Sequence, residues 1–209
     1  MKVISSFFFL CLLLILLGCN KGSGTFKMEG QIWDASFNQP LAGATVELYG
    51  IAAGTNQYAL VASAVTAADG KYNFSFPRTR TEKYTLIVNK PQYFEQTNDI
   101  YFSELSLKES NVRNVTSTAQ SWVEIKIKNN NPSNSDHLQF IRQQGKSGCT
   151  MCCDPGFVHL YRAQDTSIFC INDGNTLYSL EYAVFGTSNT GIIGVTSVPF
   201  DTTVLNLNY

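Results

Sequence analysis

Apolar and polar residues alternate with a period of two along almost the whole chain. Phe26, Met28 and Ile32 fall on one face of the run that begins at Phe26, and Lys27, Glu29 and Gln31 on the other. Ala44, Val46 and Leu48 repeat the pattern, as do Tyr72, Phe74 and Phe76, then Tyr84, Leu86 and Val88. Successive side chains of a strand point to opposite faces, so this alternation predicts strands with one wet and one buried face. No long stretch carries the i, i+3, i+4, i+7 spacing of an amphipathic helix. Asp69-Gly70 lies between two alternating runs and predicts a tight hairpin turn.

A second series follows. Short runs at Trp122–Lys128, Leu138–Arg142, Phe157–Arg162, Ser167–Ile171, Leu177–Phe185, Ile192–Val198 and Thr203–Tyr209 predict seven more strands. The expected fold is all-β, with two tandem antiparallel β-sandwiches. Residues 25–107 form the first and 121–209 the second. Residues 108–120 are polar, without apolar periodicity, and are expected as a linker.

The amino-terminal segment is different. A basic Lys2 precedes an apolar run from Phe7 to Leu17, which ends in Gly18-Cys19. That run is too short for a transmembrane helix, which needs roughly 20 residues. It has the form of a secretory signal. Leu16-Leu17-Gly18-Cys19 resembles the lipobox of bacterial lipoproteins. The resemblance implies cleavage after residue 18, lipidation of Cys19 and a flexible lipidated tether over 19–24. It also implies a bacterial cell-envelope location, with the outer membrane expected, and a membrane partner engaged through the lipid.

The string Gly30-x-Ile32-x-Asp34, Pro40-Leu41-Ala42-Gly43-Ala44-Thr45-Val46, Ala68-Asp69-Gly70-Lys71-Tyr72-Asn73-Phe74, Tyr84-x-Leu86-x-Val88 and Tyr93 resembles the carboxypeptidase regulatory-like domain. That family has a transthyretin-like (prealbumin-like) sandwich. The resemblance covers roughly residues 25–107. It implies a spacer, stabiliser or accessory unit and supplies no catalytic residue. The second sandwich resembles no named family.

Cysteine usage agrees with export. The chain has six cysteines. Cys11 leaves with the signal and Cys19 takes lipid, so Cys149, Cys152, Cys153 and Cys170 remain as disulfide candidates. A vicinal Cys152–Cys153 bridge is sterically awkward. Cys149 and Cys170 are therefore the expected partners of Cys152 and Cys153, in either order. Cys149-x-x-Cys152-Cys153 with His137 and His159 has zinc-like ligands. In an oxidising compartment, disulfides are the stronger reading, no metal or other cofactor is expected, and both histidines read as ordinary surface residues.

Charge narrows the partners. Loss of Lys2 leaves 14 basic residues against 16 acidic ones. Neither half is basic, so no nucleic-acid partner is expected. The sequence has no Gly-x-Ser-x-Gly, no His-Glu-x-x-His and no phosphate loop. Trp33 and Trp122 fall on the wet faces of their strands, where they could stack on a sugar or cover an interdomain contact. The expected function is a non-catalytic, lipid-anchored envelope or surface protein that binds a protein or glycan partner or assists assembly. It is not expected to be an enzyme. A carbohydrate-binding accessory lipoprotein of a glycan-uptake system is the second reading and a hydrolase the third. The cysteine loop, 143–156, is the least generic segment and the expected seat of specificity.

Overall fold

The computed structural model describes residues 24–52, 54–55, 57–79, 81–162 and 164–209. Cys11, and Cys19 at which lipidation is expected, lie outside the described residues. The chain is all-β, with two sandwiches in tandem.

In the first sandwich, β1 (Thr25–Asp34) pairs antiparallel with β2 (Gln39–Pro40) and with β5 (Lys71–Pro77). The facing sheet has the order β4-β3-β6-β7, from β3 (Thr45–Ala52), β4 (Tyr58–Val65), β6 (Thr81–Asn89) and β7 (Gln96–Tyr101). The alternating residues fill the space between the sheets. Phe26, Met28, Ile32, Val46, Leu48, Tyr72, Phe76, Tyr84, Leu86 and Val88 are all buried in one cluster, with Phe74 half-buried beside it.

Asp69-Gly70 does not close a hairpin. The turn carries the chain from β4 in one sheet to β5 in the other, where β5 pairs with β1. Gly70 has φ +72°, and a Cβ there would stand 2.6 Å from the Ile32 carbonyl. Only glycine combines that backbone with that approach. Its own carbonyl accepts from Ile32 N at 2.9 Å and so locks the corner.

The segment expected as a linker is largely part of this sandwich. A 3₁₀ turn at Phe102–Glu104 leads to β8 (Asn111–Val112) and β9 (Val115–Ser117), and both run parallel to β1. Val115 supplies the apolar burial. Asn111 is buried and donates from Nδ2 to the Lys27 and Ser106 carbonyls at 2.9 and 3.0 Å. Ser117 is also buried and donates to the Phe94 carbonyl at 2.8 Å. Polar side chains here satisfy buried backbone, so the segment lacks the alternation that marks the other strands.

In the second sandwich, β10 (Gln120–Lys128) lies between β13 (Asp165–Asp173) and β16 (Thr202–Asn208). The other sheet has the order β12-β11-β14-β15, from β11 (His137–Gln144), β12 (Val158–Tyr161), β14 (Leu177–Val184) and β15 (Thr190–Thr196). Seven strands occur where seven are expected. One pairing departs from the antiparallel expectation: β16 runs parallel to β10. Val123, Ile125, Ile127, Leu138, Phe140, Cys170, Leu180, Leu205 and Leu207 form the core.

Candidate functional site

The cysteine loop is built on the bulged end of β11. Register shifts between Arg142 and Gln144, which aims the Arg142 guanidinium under the loop. Nη1 donates to the carbonyls of Lys146 and Cys152, the latter at 2.5 Å. From the other side, the buried Asn172 accepts from Lys146 N at 2.8 Å and donates to Ser197 Oγ at 3.0 Å. Ile171 N donates to the Met151 carbonyl at 2.8 Å. These bonds hold the loop against β13, where Cys153 bonds to Cys170 with a Cα–Cα separation of 5.3 Å. Cys149 and Cys152 form the other disulfide, with Cα atoms 5.2 Å apart. The vicinal bridge is avoided, as expected. Cys170 faces the core and is fully buried. A cleft of about 160 Å³ opens between the loop and the core beside Cys153, Phe140 and Tyr178. Burial holds the Tyr178 phenol above the usual tyrosine range.

Lys146 also reaches out of the second sandwich. Its Nζ stands 2.8 Å from Asp173 Oδ1 and 3.8 Å from the centre of the Phe94 ring, which belongs to the first. The contact is one part of a seam between the sandwiches. Ser36 Oγ accepts from Ala119 N at 2.9 Å, and Ser36 O accepts from Asn175 Nδ2 at 2.8 Å. Phe200 stacks on Phe37 at 5.8 Å and meets Tyr93 edge-on at 5.4 Å. Gln120 N donates to the Gln92 carbonyl at 2.7 Å. This seam leaves little mark in the sequence. Its only signals were two aromatics in turn segments, Ser36-Phe37-Asn38 and Pro199-Phe200-Asp201.

Trp33 and Trp122 lie on the outer faces of β1 and β10, and both are half-buried. Trp33 stands opposite Pro40 and Thr116, and Trp122 opposite Ile171 and Thr202. They occupy different sandwiches. A shallow hollow of about 450 Å³ on the β11–β14–β15 face is lined by Gln139, Phe157, Tyr182 and Ile192. Its one carboxylate, Glu181, accepts from Gln143 Nε2 at 2.7 Å.

His137 is half-buried and His159 exposed, so both reach the surface as expected, and there they meet. The pairing of β11 with β12 brings His137 Nε2 to 2.9 Å from His159 Nδ1. Among the described residues, no group of three or more His, Cys, Asp and Glu is placed to hold a metal ion, and no helix is long and apolar enough to cross a membrane.

No family profile matches the chain, and no curated protein matches it. Among solved structures, it is similar to the Bacillus anthracis TIE protein, with 14% identity over 89% of this chain and 34% of that one and a TM-score of 0.39. It is also similar to the shaft pilin SpaA from Lactobacillus rhamnosus GG, with 10% identity over 88% and 97% of the two chains and a TM-score of 0.37. A third likeness is to catechol 1,2-dioxygenase from Acinetobacter sp. ADP1, with 12% identity over 49% and 55% and a TM-score of 0.36. The chain thus spans about a third of the TIE protein and about half of the dioxygenase. Likenesses this remote say nothing of activity.

Proposed function

We propose that this chain is a lipid-anchored, exported envelope protein that acts as a non-catalytic binding or assembly module. In this reading Cys19 carries the lipid, and the first sandwich is a carboxypeptidase regulatory-like stalk. The second sandwich presents the cysteine loop to a protein or glycan partner at the outer membrane.

One observation carries the reading. All four cysteines that follow Cys19 are consumed in two disulfides. Such complete pairing suits an oxidising compartment, which is where the leader resembling a lipoprotein signal would deliver the chain. The seam supports the module reading. It couples the loop, through Lys146 and Phe94, to the sandwich that stands next to the anchor.

Cell fractionation of the parent and of Cys19→Ser tests the reading, with a clickable palmitate analogue as label. The parent is expected in the membrane fraction and labelled. Cys19→Ser is expected to lose the label and leave that fraction. Equal, unlabelled recovery of both in the soluble fraction would overturn the proposal.

A further inference from the structure

The cleft under the cysteine loop has an apolar lining with two polar groups set into it. Ile125, Phe140, Ile168 and Leu180 line it beside the Cys153–Cys170 bridge, and so do Arg142 and Tyr178. The last two stand side by side. A Cβ on Gly145 would lie 2.7 Å from Tyr178 Cδ2 and 3.2 Å from Arg142 Cδ.

Both groups have hydrogen-bonding capacity to spare. Tyr178 is 1% exposed, yet among the described residues its hydroxyl has no hydrogen-bond partner. That hydroxyl is not sealed in the core as the unpartnered Tyr84 hydroxyl is, so it opens onto the cleft that its ring lines. Burial keeps the phenol protonated, and it is available as a donor. Arg142 serves the loop carbonyls of Lys146, Cys152 and Cys153 through Nη1 alone. Among the described residues its Nε and Nη2 meet no acceptor and no carboxylate pairs with its guanidinium.

A half-buried cation without a counter-ion, beside a buried hydroxyl without an acceptor, is complementary to an anion with two acceptor oxygens. The rest of the lining suits a hydrocarbon. An apolar cavity of about 150 Å³ accepts a molecule of about six carbons, and this cleft has about 160 Å³. The one carboxylate in the lining, Asp154, is exposed to water, and its Oδ1 accepts from Gly156 N at 2.7 Å.

We propose that this cleft binds a short-chain monocarboxylate of about four to six carbons. The carboxylate accepts from the free edge of Arg142 and from the Tyr178 hydroxyl, and the chain packs on Ile125, Phe140, Ile168 and Leu180. Nothing in the cleft depends on the lipid anchor.

Calorimetric titration of the disulfide-intact full chain with sodium hexanoate near neutral pH tests this. One equivalent should bind with a dissociation constant of about 10 mM or below. Hexylammonium, the same chain with the opposite charge, should give no saturable heat. Tyr178→Phe removes a hydroxyl that no protein group uses, so it should leave the thermal midpoint within about 2 °C of the parent and weaken hexanoate about three- to tenfold. Ile168→Phe fills the cleft and should abolish binding. Arg142→Lys keeps the charge, loses the fork and should weaken binding at least about tenfold. Where that variant loosens the loop and does not fold, Tyr178→Phe and Ile168→Phe decide. No saturable heat with the parent, equal binding of hexylammonium, or unchanged binding in both of these variants would overturn the proposal.

Discussion

The Tyr93 hydroxyl donates to the carboxylate of Asp34 at 2.8 Å, and Asp34 is fully buried at the end of β1. The other oxygen of Asp34 accepts from Ser36 N and Phe37 N at 3.0 and 3.2 Å. These bonds shape the turn that carries Ser36 and Phe37 to the seam. The Tyr93 ring then meets Phe200. One buried carboxylate therefore organises both the end of the first core and the contact with the second sandwich. Asp34→Ala should destabilise the chain by about 2–4 kcal/mol in urea, since it leaves three donors without their acceptor. A loss below about 0.5 kcal/mol would contradict this role.

The same pair predicts an alkaline dependence. Burial first, then the hydrogen bond to Asp34 and its charge, holds the Tyr93 phenol above its ordinary value of 10.0. The folded chain keeps this proton to higher pH than the unfolded chain. The contribution to stability is therefore complete below about pH 10 and is lost as the pH rises above it. Tyr72 adds to the slope, because burial raises its phenol as well. Urea midpoints at about pH 8 and about pH 11 should fall for the parent, and fall less for Tyr93→Phe.

Gly30 is the tightest point between β1 and the strands that follow β7. A Cβ there would stand 1.8 Å from the Arg113 carbonyl and 2.9 Å from the Tyr72 ring. That carbonyl accepts the Tyr72 hydroxyl at 2.8 Å. Gly30→Ala should cost about 2–4 kcal/mol and expose the amides of 111–117 to hydrogen exchange. A neutral substitution would show that β8 and β9 are held loosely.

The two disulfides should contribute unequally. Cys153–Cys170 closes a separation of 17 residues and Cys149–Cys152 one of 3. On loop-closure entropy, replacing the first pair with alanines should cost about 3 kcal/mol and the second about 2 or less. Thermal midpoints of the two double variants should rank in that order.

The seam predicts cooperative unfolding. Ser36 accepts bonds from both Ala119 and Asn175, and Phe200 contacts two rings of the first sandwich. The parent should unfold in one calorimetric transition. Ser36→Ala combined with Phe200→Ala should separate it into two. An unchanged single transition in the variant would place the coupling elsewhere.

The cores were legible because Phe26, Val46, Leu86, Val123 and Ile125 alternate with solvated neighbours, and burial follows period two. The strands β8 and β9 were not legible. Asn111 and Ser117 are buried by hydrogen bonding, and a polar stretch of this kind has the composition of a linker. The parallel placement of β16 was hidden as well, since alternation fixes the face of a strand and not its direction. Of the candidate site, the paired cysteines were readable from their count and from the oxidising compartment that the leader predicts. The meeting of His137 with His159 depends on the β11–β12 register across a separation of 22 residues, and no local spacing encodes that.

Intact-protein mass spectrometry of the natively purified chain, alkylated without reduction, tests the account most directly. The expected species begins at a lipid-bearing Cys19 and takes up no alkyl group, with Cys149, Cys152, Cys153 and Cys170 all bridged. A chain that retains Met1, carries no lipid and alkylates at these four positions would contradict it.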